Sequence, residues 1–146
     1  CDYYTWVPSD NTFSKDSLYK IYSQIGSADV ILHYPQVQNR KFYRIVLSSL
    51  YIRLLNLMFR IRDIKYYNGL AVFKKADIAP IPMRASGFAF QAEVLIKVLK
   101  KGNMRIKQIP VLTTERAHGT TKLFKLRNIL DLVKSVLWLY IEVEGI

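Results

Sequence analysis

Short β-rich apolar runs alternate with stretches of helical periodicity along this chain, and that alternation limits its fold more than any other feature. "CDYYTWV" stops at Pro8 and reads as a strand over 3–7, followed by the loop "PSDNTF". Ser14 is placed to cap a helix that carries Leu18, Ile21, Tyr22 and Ile25 on one face, and Gly26 ends it. "ADVILHY" (28–34) and "LAVFKK" (70–75) read as two further strands. "FQAEVLIKVLKKG" is a helix closed by two lysines and Gly102, the residues expected at a helix C-terminus. "MRIKQIPVLTT" gives a short strand that Pro110 is expected to interrupt, and a last helix spans 122–142. Strands and helices in alternation predict an α/β layer fold.

The chain has 146 residues, the length of one domain, and 51% of them are hydrophobic, enough for a sizeable core. The formal net charge of +11 makes the surface anion-seeking, and nucleic acid, an anionic bilayer or a phosphorylated substrate all suit that sign. Against nucleic acid, the basic stretches 39–41 and 97–107 lack interleaved stacking aromatics, and the charge is scattered rather than gathered on one face. Cys1 stands alone, so no internal disulfide forms, which suits a reducing compartment. The opening strand has nothing upstream to pair with, so the chain is expected to be the later portion of a larger domain.

"FYRIVLSSLYIRLLNLMFRIR" (42–62) reads as one helix, with Ser49, Arg53, Asn56 and Arg60 on a narrow polar stripe. Arg44 and Arg53 break its apolar run short of the ~18–20 residues that span a bilayer. It is either buried on most sides or lies at a bilayer interface with its arginines towards headgroups. In the last helix, Arg127, Asn128, Asp131, Lys134 and Ser135 oppose Leu126, Ile129, Leu130, Val133 and Leu137. That pattern suits packing on a core, while Trp138 and Tyr140 suit an interface.

The candidate chemistry sits on three segments. Asp10 follows a strand directly, where an α/β sheet presents its ligand crevice. A carboxylate there either holds a divalent cation that gathers phosphate oxygens or closes an Asx-turn with Asn11 and Thr12. Glu93, near a helix start, either complements the helix dipole or serves as a general base. In "ERAHGTTK", Arg116 and Lys122 either clamp a pyrophosphate or sit in a solvated basic loop. Gly119 there lets backbone approach a ligand, and Thr121 precedes a helix whose N-terminal amides favour anions.

Taken in order, "YYTWVPSDN", "SADVIL", "DIKYYNGLAVFKK", "GFAFQAEVLIKVLKKGNMRIKQIPV" and "ERAHGTTK" resemble the family 2 glycosyltransferases. The similarity is to the membrane-associated branch that includes dolichyl-phosphate mannosyltransferase and polyprenyl-phosphate glycosyltransferases. The family's Gly-aromatic-x-Val-Phe-Arg/Lys strand is resembled by 69–74, its Phe-x-x-Glu helix start by Phe90 to Glu93, and its Arg-x-x-Gly-x-Ser-Lys motif by Arg116, Gly119, Thr121 and Lys122. The resemblance implies a partial GT-A (Rossmann-like) domain with a mixed sheet flanked by helices. The chain (1–146) would be its C-terminal portion, without the N-terminal nucleotide-binding half. It implies inverting transfer from a nucleotide-diphosphate sugar to a lipid-phosphate or glycan acceptor at a membrane surface, on the cytoplasmic face. Mg²⁺ or Mn²⁺ would be held at Asp10, Glu93 would be catalytic, Asn68 and Gly69 would lie on the acceptor side, and Arg116, Gly119, Thr121 and Lys122 would meet phosphate. The family's acidic motif has two carboxylates one residue apart; here Asp10 is followed by Asn11 and Thr12. An inactive glycosyltransferase-like scaffold is the alternative, and a basic nucleic-acid-binding domain a further one.

Overall fold

A computed structural model of the chain describes residues 1–7, 13–36, 42–112 and 126–145. They form an open four-stranded mixed sheet with helices on both faces, an α/β architecture as the alternation predicts. Strand β1 (Tyr3–Thr5) pairs antiparallel with β3 (Ala71–Lys74), which pairs antiparallel with β2 (Val30–Pro35). Strand β4 (Ile106–Val111) runs parallel to β2 at the other edge, so the order is β1-β3-β2-β4.

Side-chain alternation along the strands divides the core in two. Val30, Leu32, Ala71 and Phe73 face one cluster, with Leu55 of α2 (Phe42–Met58), Val94, Leu95 and Val98 of α4 (Phe90–Lys100), and Val136 and Leu139 of α5 (Leu126–Glu144). Ile31, Val72, Ile109 and Val111 face the other, closed by Phe13 and by Ile21 of α1 (Lys15–Tyr22). The expected cap holds: the Ser14 hydroxyl accepts the Ser17 amide at 3.1 Å. The short helix α3 (Lys75–Ile78) follows β3 at once.

Two expectations from the sequence need correction. Pro110 does not interrupt β4; it pairs opposite Tyr34 inside the strand. Strand β4 is a sheet edge, where a residue without an N–H is tolerated. The helix expected over 42–62 ends at Met58, because Arg60 takes a left-handed conformation with φ 51°. The Ile61 amide then bonds the Asn56 carbonyl at 3.0 Å and the Arg60 amide the Leu57 carbonyl at 3.3 Å, which is a Schellman closure. Arg60 therefore lies beyond the helix, off the polar stripe.

Of the rest of that stripe, Arg53 is exposed while Ser49 and Asn56 turn towards the protein. The Asn56 side chain donates to the Ile64 carbonyl at 3.0 Å and accepts the Tyr67 hydroxyl at 2.6 Å, and Ser48 and Ser49 are half-buried. Tyr43, Val46, Leu47, Leu50, Leu54 and Leu57 recur at three- and four-residue spacing and are all exposed. Helix α2 thus presents its apolar face outward. Helix α5 does the same in part: Val136 and Leu139 are buried, while Leu130, Val133, Leu137 and Ile141 are exposed. Among the described residues no helix is long and apolar enough to cross a membrane.

Candidate functional site

The strand directions bring one edge of the sheet together. Thr5 pairs with Val72, Leu32 with Ala71 and Pro35 with Val111, so β1, β2 and β4 all end where β3 begins. In an α/β sheet the crevice outside the carboxyl ends of strands is the usual ligand site. At this edge the Trp6 indole N–H donates to the Gly69 carbonyl at 2.7 Å, and its ring meets Phe73 at 5.3 Å and Phe90 at 6.0 Å. Trp6 therefore ties the end of β1 to Asn68–Gly69 and to the start of α4. The chain leaves the described residues from this same edge, after Val7 towards Asp10 and after Leu112 towards Arg116. Asp10, Arg116, Gly119, Thr121 and Lys122 themselves lie outside the described residues.

Gly69 has a steric requirement. A Cβ there would stand 2.0 Å from Cε1 of His33, whose ring is buried, bonded through Nδ1 with the Leu70 carbonyl and met edge-on by Phe13 and Tyr66. With the ring packed on these sides its displacement is costly, so Gly69→Ala should cost about 1–3 kcal/mol, the range for overpacking a filled core. Urea unfolding measures this; an unchanged midpoint would mean that the ring does move. The neighbouring Asn68 Oδ1 is buried with no hydrogen-bond partner among the described residues.

Glu93 lies in the first turn of α4 and is buried. Its carboxylate accepts the Ala85 amide at 2.7 Å and the Arg84 amide at 3.0 Å, and pairs with Lys97 at 2.7 Å. Burial works to raise its pKa, but the Lys97 ammonium and the Ala85 and Arg84 amides outweigh it, and the carboxyl stays below its ordinary value. The Lys97 ammonium also donates to the Pro82 carbonyl at 2.7 Å and to Glu142 on α5 at 3.0 Å. Its three N–H donors thus meet acceptors on three separate segments. Lys97 went unnoticed in the sequence, although Glu93 and Lys97 stand at the i,i+4 spacing of a helical ion pair.

A second feature missed in the sequence is a cleft of about 110 Å³ at the end of β2. Tyr34, Ser48, Ser49, Lys65 and Tyr66 line it, and the Lys65 ammonium lies 4.4 Å from the centre of the Tyr34 ring. The inward serines of α2 were the available signal. A larger hollow of about 450 Å³ lies at the opposite end of the sheet, beside Cys1, Tyr3 and Lys74, remote from Trp6 and Gly69. Among the described residues no three His, Cys, Asp or Glu side chains are grouped to hold a metal.

No protein-family profile matches the chain, and no curated protein matches it.

Proposed function

We propose that the chain is part of an inverting GT-A glycosyltransferase that passes a sugar from a nucleotide-diphosphate donor to a lipid-phosphate acceptor at a membrane surface. One observation supports this reading: one end of the sheet gathers Trp6, Asn68–Gly69, the start of α4 and the end of β4, and the sequence continues from there to Asp10 and to Arg116 and Lys122. In this scheme Arg116 and Lys122 neutralise the donor diphosphate, with Gly119 and Thr121 admitting its oxygens to backbone amides. A divalent cation at Asp10 would supply further charge neutralisation to the same oxygens. The acceptor oxygen attacks the anomeric carbon in line while the bond to the diphosphate breaks, so positioning and electrostatics provide most of the rate.

The engagement of Glu93 bears on the acceptor. With two amides and an ammonium on its carboxylate, Glu93 holds the 82–85 backbone in place and has little capacity to take a proton. A phosphate monoester is already an oxyanion near neutral pH and needs no base, unlike a sugar hydroxyl. That chemistry favours a lipid phosphate over a glycan.

The outward apolar faces of α2 and α5, flanked by the exposed Arg53, Arg60 and Arg127 on a chain of net charge +11, support membrane contact. Vesicles of phosphatidylcholine and phosphatidylglycerol should retain the full-length protein, and salt should release it only in part. Changing Leu50, Leu54 and Leu57 together to Ser should lower partitioning by roughly two orders of magnitude or more, since each Leu is worth about 1.5–3 kcal/mol when fully removed from water and these are already partly covered in the protein. Complete release at moderate salt would show electrostatics alone. A protein that ignores vesicles and self-associates through these leucines would contradict the membrane assignment.

A further inference from the structure

We propose that Lys97 and Arg84 couple the seating of α5 to the backbone of residues 82–85, so that a surface engaging α5 sets the loop leading to the start of α4. The loop grips α5 at two points one helical turn apart. The Arg84 guanidinium lies 4.5 Å from the centre of the Trp138 ring, and Lys97 joins the Pro82 carbonyl and Glu93 to Glu142. Residues 138 and 142 share a face of the helix. From α4, Glu93 in turn holds the Arg84 and Ala85 amides, so the network that reaches α5 through Lys97 is the one that fixes this loop backbone.

The Trp138 ring is about half exposed and sits beside the outward Leu137 and Ile141. Whatever covers that face therefore touches a side chain that also meets the loop. Beyond the loop, Gly87 takes φ 64° and opens the turn into α4, whose Phe90 rests on Trp6 at 6.0 Å. A set of contacts and chain links thus runs from the apolar face of α5 through the 82–87 segment to Trp6 beyond the end of β1. The coupling itself is independent of the reaction; only its use as a membrane response rests on the reading above.

Amide hydrogen exchange at Arg84 and Ala85 in the full-length protein tests it. In solution, Glu142→Ala and Trp138→Ala should each speed exchange there several-fold, and together by roughly tenfold or more. Leu137→Ala, an exposed position on the same helix, should leave these amides unchanged. Unchanged exchange in the double variant overturns the coupling, and so does an equal effect from Leu137→Ala, which would be general loosening of α5. Adding phosphatidylglycerol-containing vesicles separates the two ideas. Protection of α5 together with slower exchange at Arg84 and Ala85 supports the coupling, and protection of α5 alone overturns it. If α5 gains no protection, the membrane reading falls and the solution variants still decide the coupling.

Discussion

Lys97→Met should be among the most destabilising single substitutions in the described part of the chain, costing about 3–5 kcal/mol. The side chains of Lys97 and Glu93 are only 8% and 3% exposed, so methionine would leave a buried carboxylate without its cation. For a domain of this size such a loss lowers Tm by on the order of 10–15 °C. The effect has a defined pH dependence. In the native protein Glu93 is held below its ordinary value of 4.5, so its contribution is present above that pH and is lost as pH falls through the lower folded value. In the variant the ammonium is gone and burial acts to raise the carboxyl, so its penalty is largest near neutral pH. The stability gap between the two proteins should therefore narrow on acidification. Adding Glu93→Gln to Lys97→Met should recover part of the loss, because neutral Gln still accepts the Arg84 and Ala85 amides. A Lys97→Met protein within about 1 kcal/mol of wild type, at all pH values, would show that the network is not the anchor described above.

Asp10→Ala should reduce sugar transfer by the full-length protein by roughly two to three orders of magnitude or more, the scale of losing a charge-stabilising group at a phosphate-leaving centre. Its thermal stability should barely change if the residue acts in the reaction rather than in the fold. No second carboxylate stands beside it, because Asn11 and Thr12 follow, so under the proposed metal site Asp10 would be the one carboxylate of that segment available to the cation. Asp10→Asn, which retains an oxygen ligand for a hard cation but not the charge, should be nearly as impaired. Turnover close to wild type in Asp10→Ala would remove the metal assignment, and an equal loss of stability would make the residue a structural turn.

The elements most legible in the sequence were those set by local chemistry. The Ser14 cap, the Val30 to Leu32 strand core and the lysine-closed helix α4 each announce themselves within a few residues. Pro110 misled because its tolerance depends on lying at a sheet edge, which is a property of strand order. Arg60 misled because nothing but its left-handed φ stops α2, and an arginine gives no warning of it. The polar stripe of α2 was seen, but which side faced the protein depended on Tyr67 and Ile64 meeting Asn56. For the candidate site, the sequence points to Asn68, Gly69 and Glu93 as positions, while their packing is a matter of the fold. The His33 ring beneath Gly69 and the reach of Lys97 to Glu142 are contacts 36 and 45 residues apart, which periodicity does not carry.

The measurement that bears most directly on the proposed activity is transfer of a labelled sugar from nucleotide-diphosphate donors to a polyprenyl phosphate in vesicles. The full-length protein would be compared with Arg116→Lys and Lys134→Ala at saturating donor. The wild type should form a lipid-linked sugar with inverted anomeric configuration. Arg116→Lys keeps the charge but loses the planar fork, and a charge-assisted contact worth about 1.5–3 kcal/mol predicts a roughly 10- to 100-fold lower rate. Lys134, on the exposed side of α5, should be replaceable with almost no effect. No transfer to any donor–acceptor pair, or identical rates in the two variants, would contradict the glycosyltransferase and its phosphate clamp respectively.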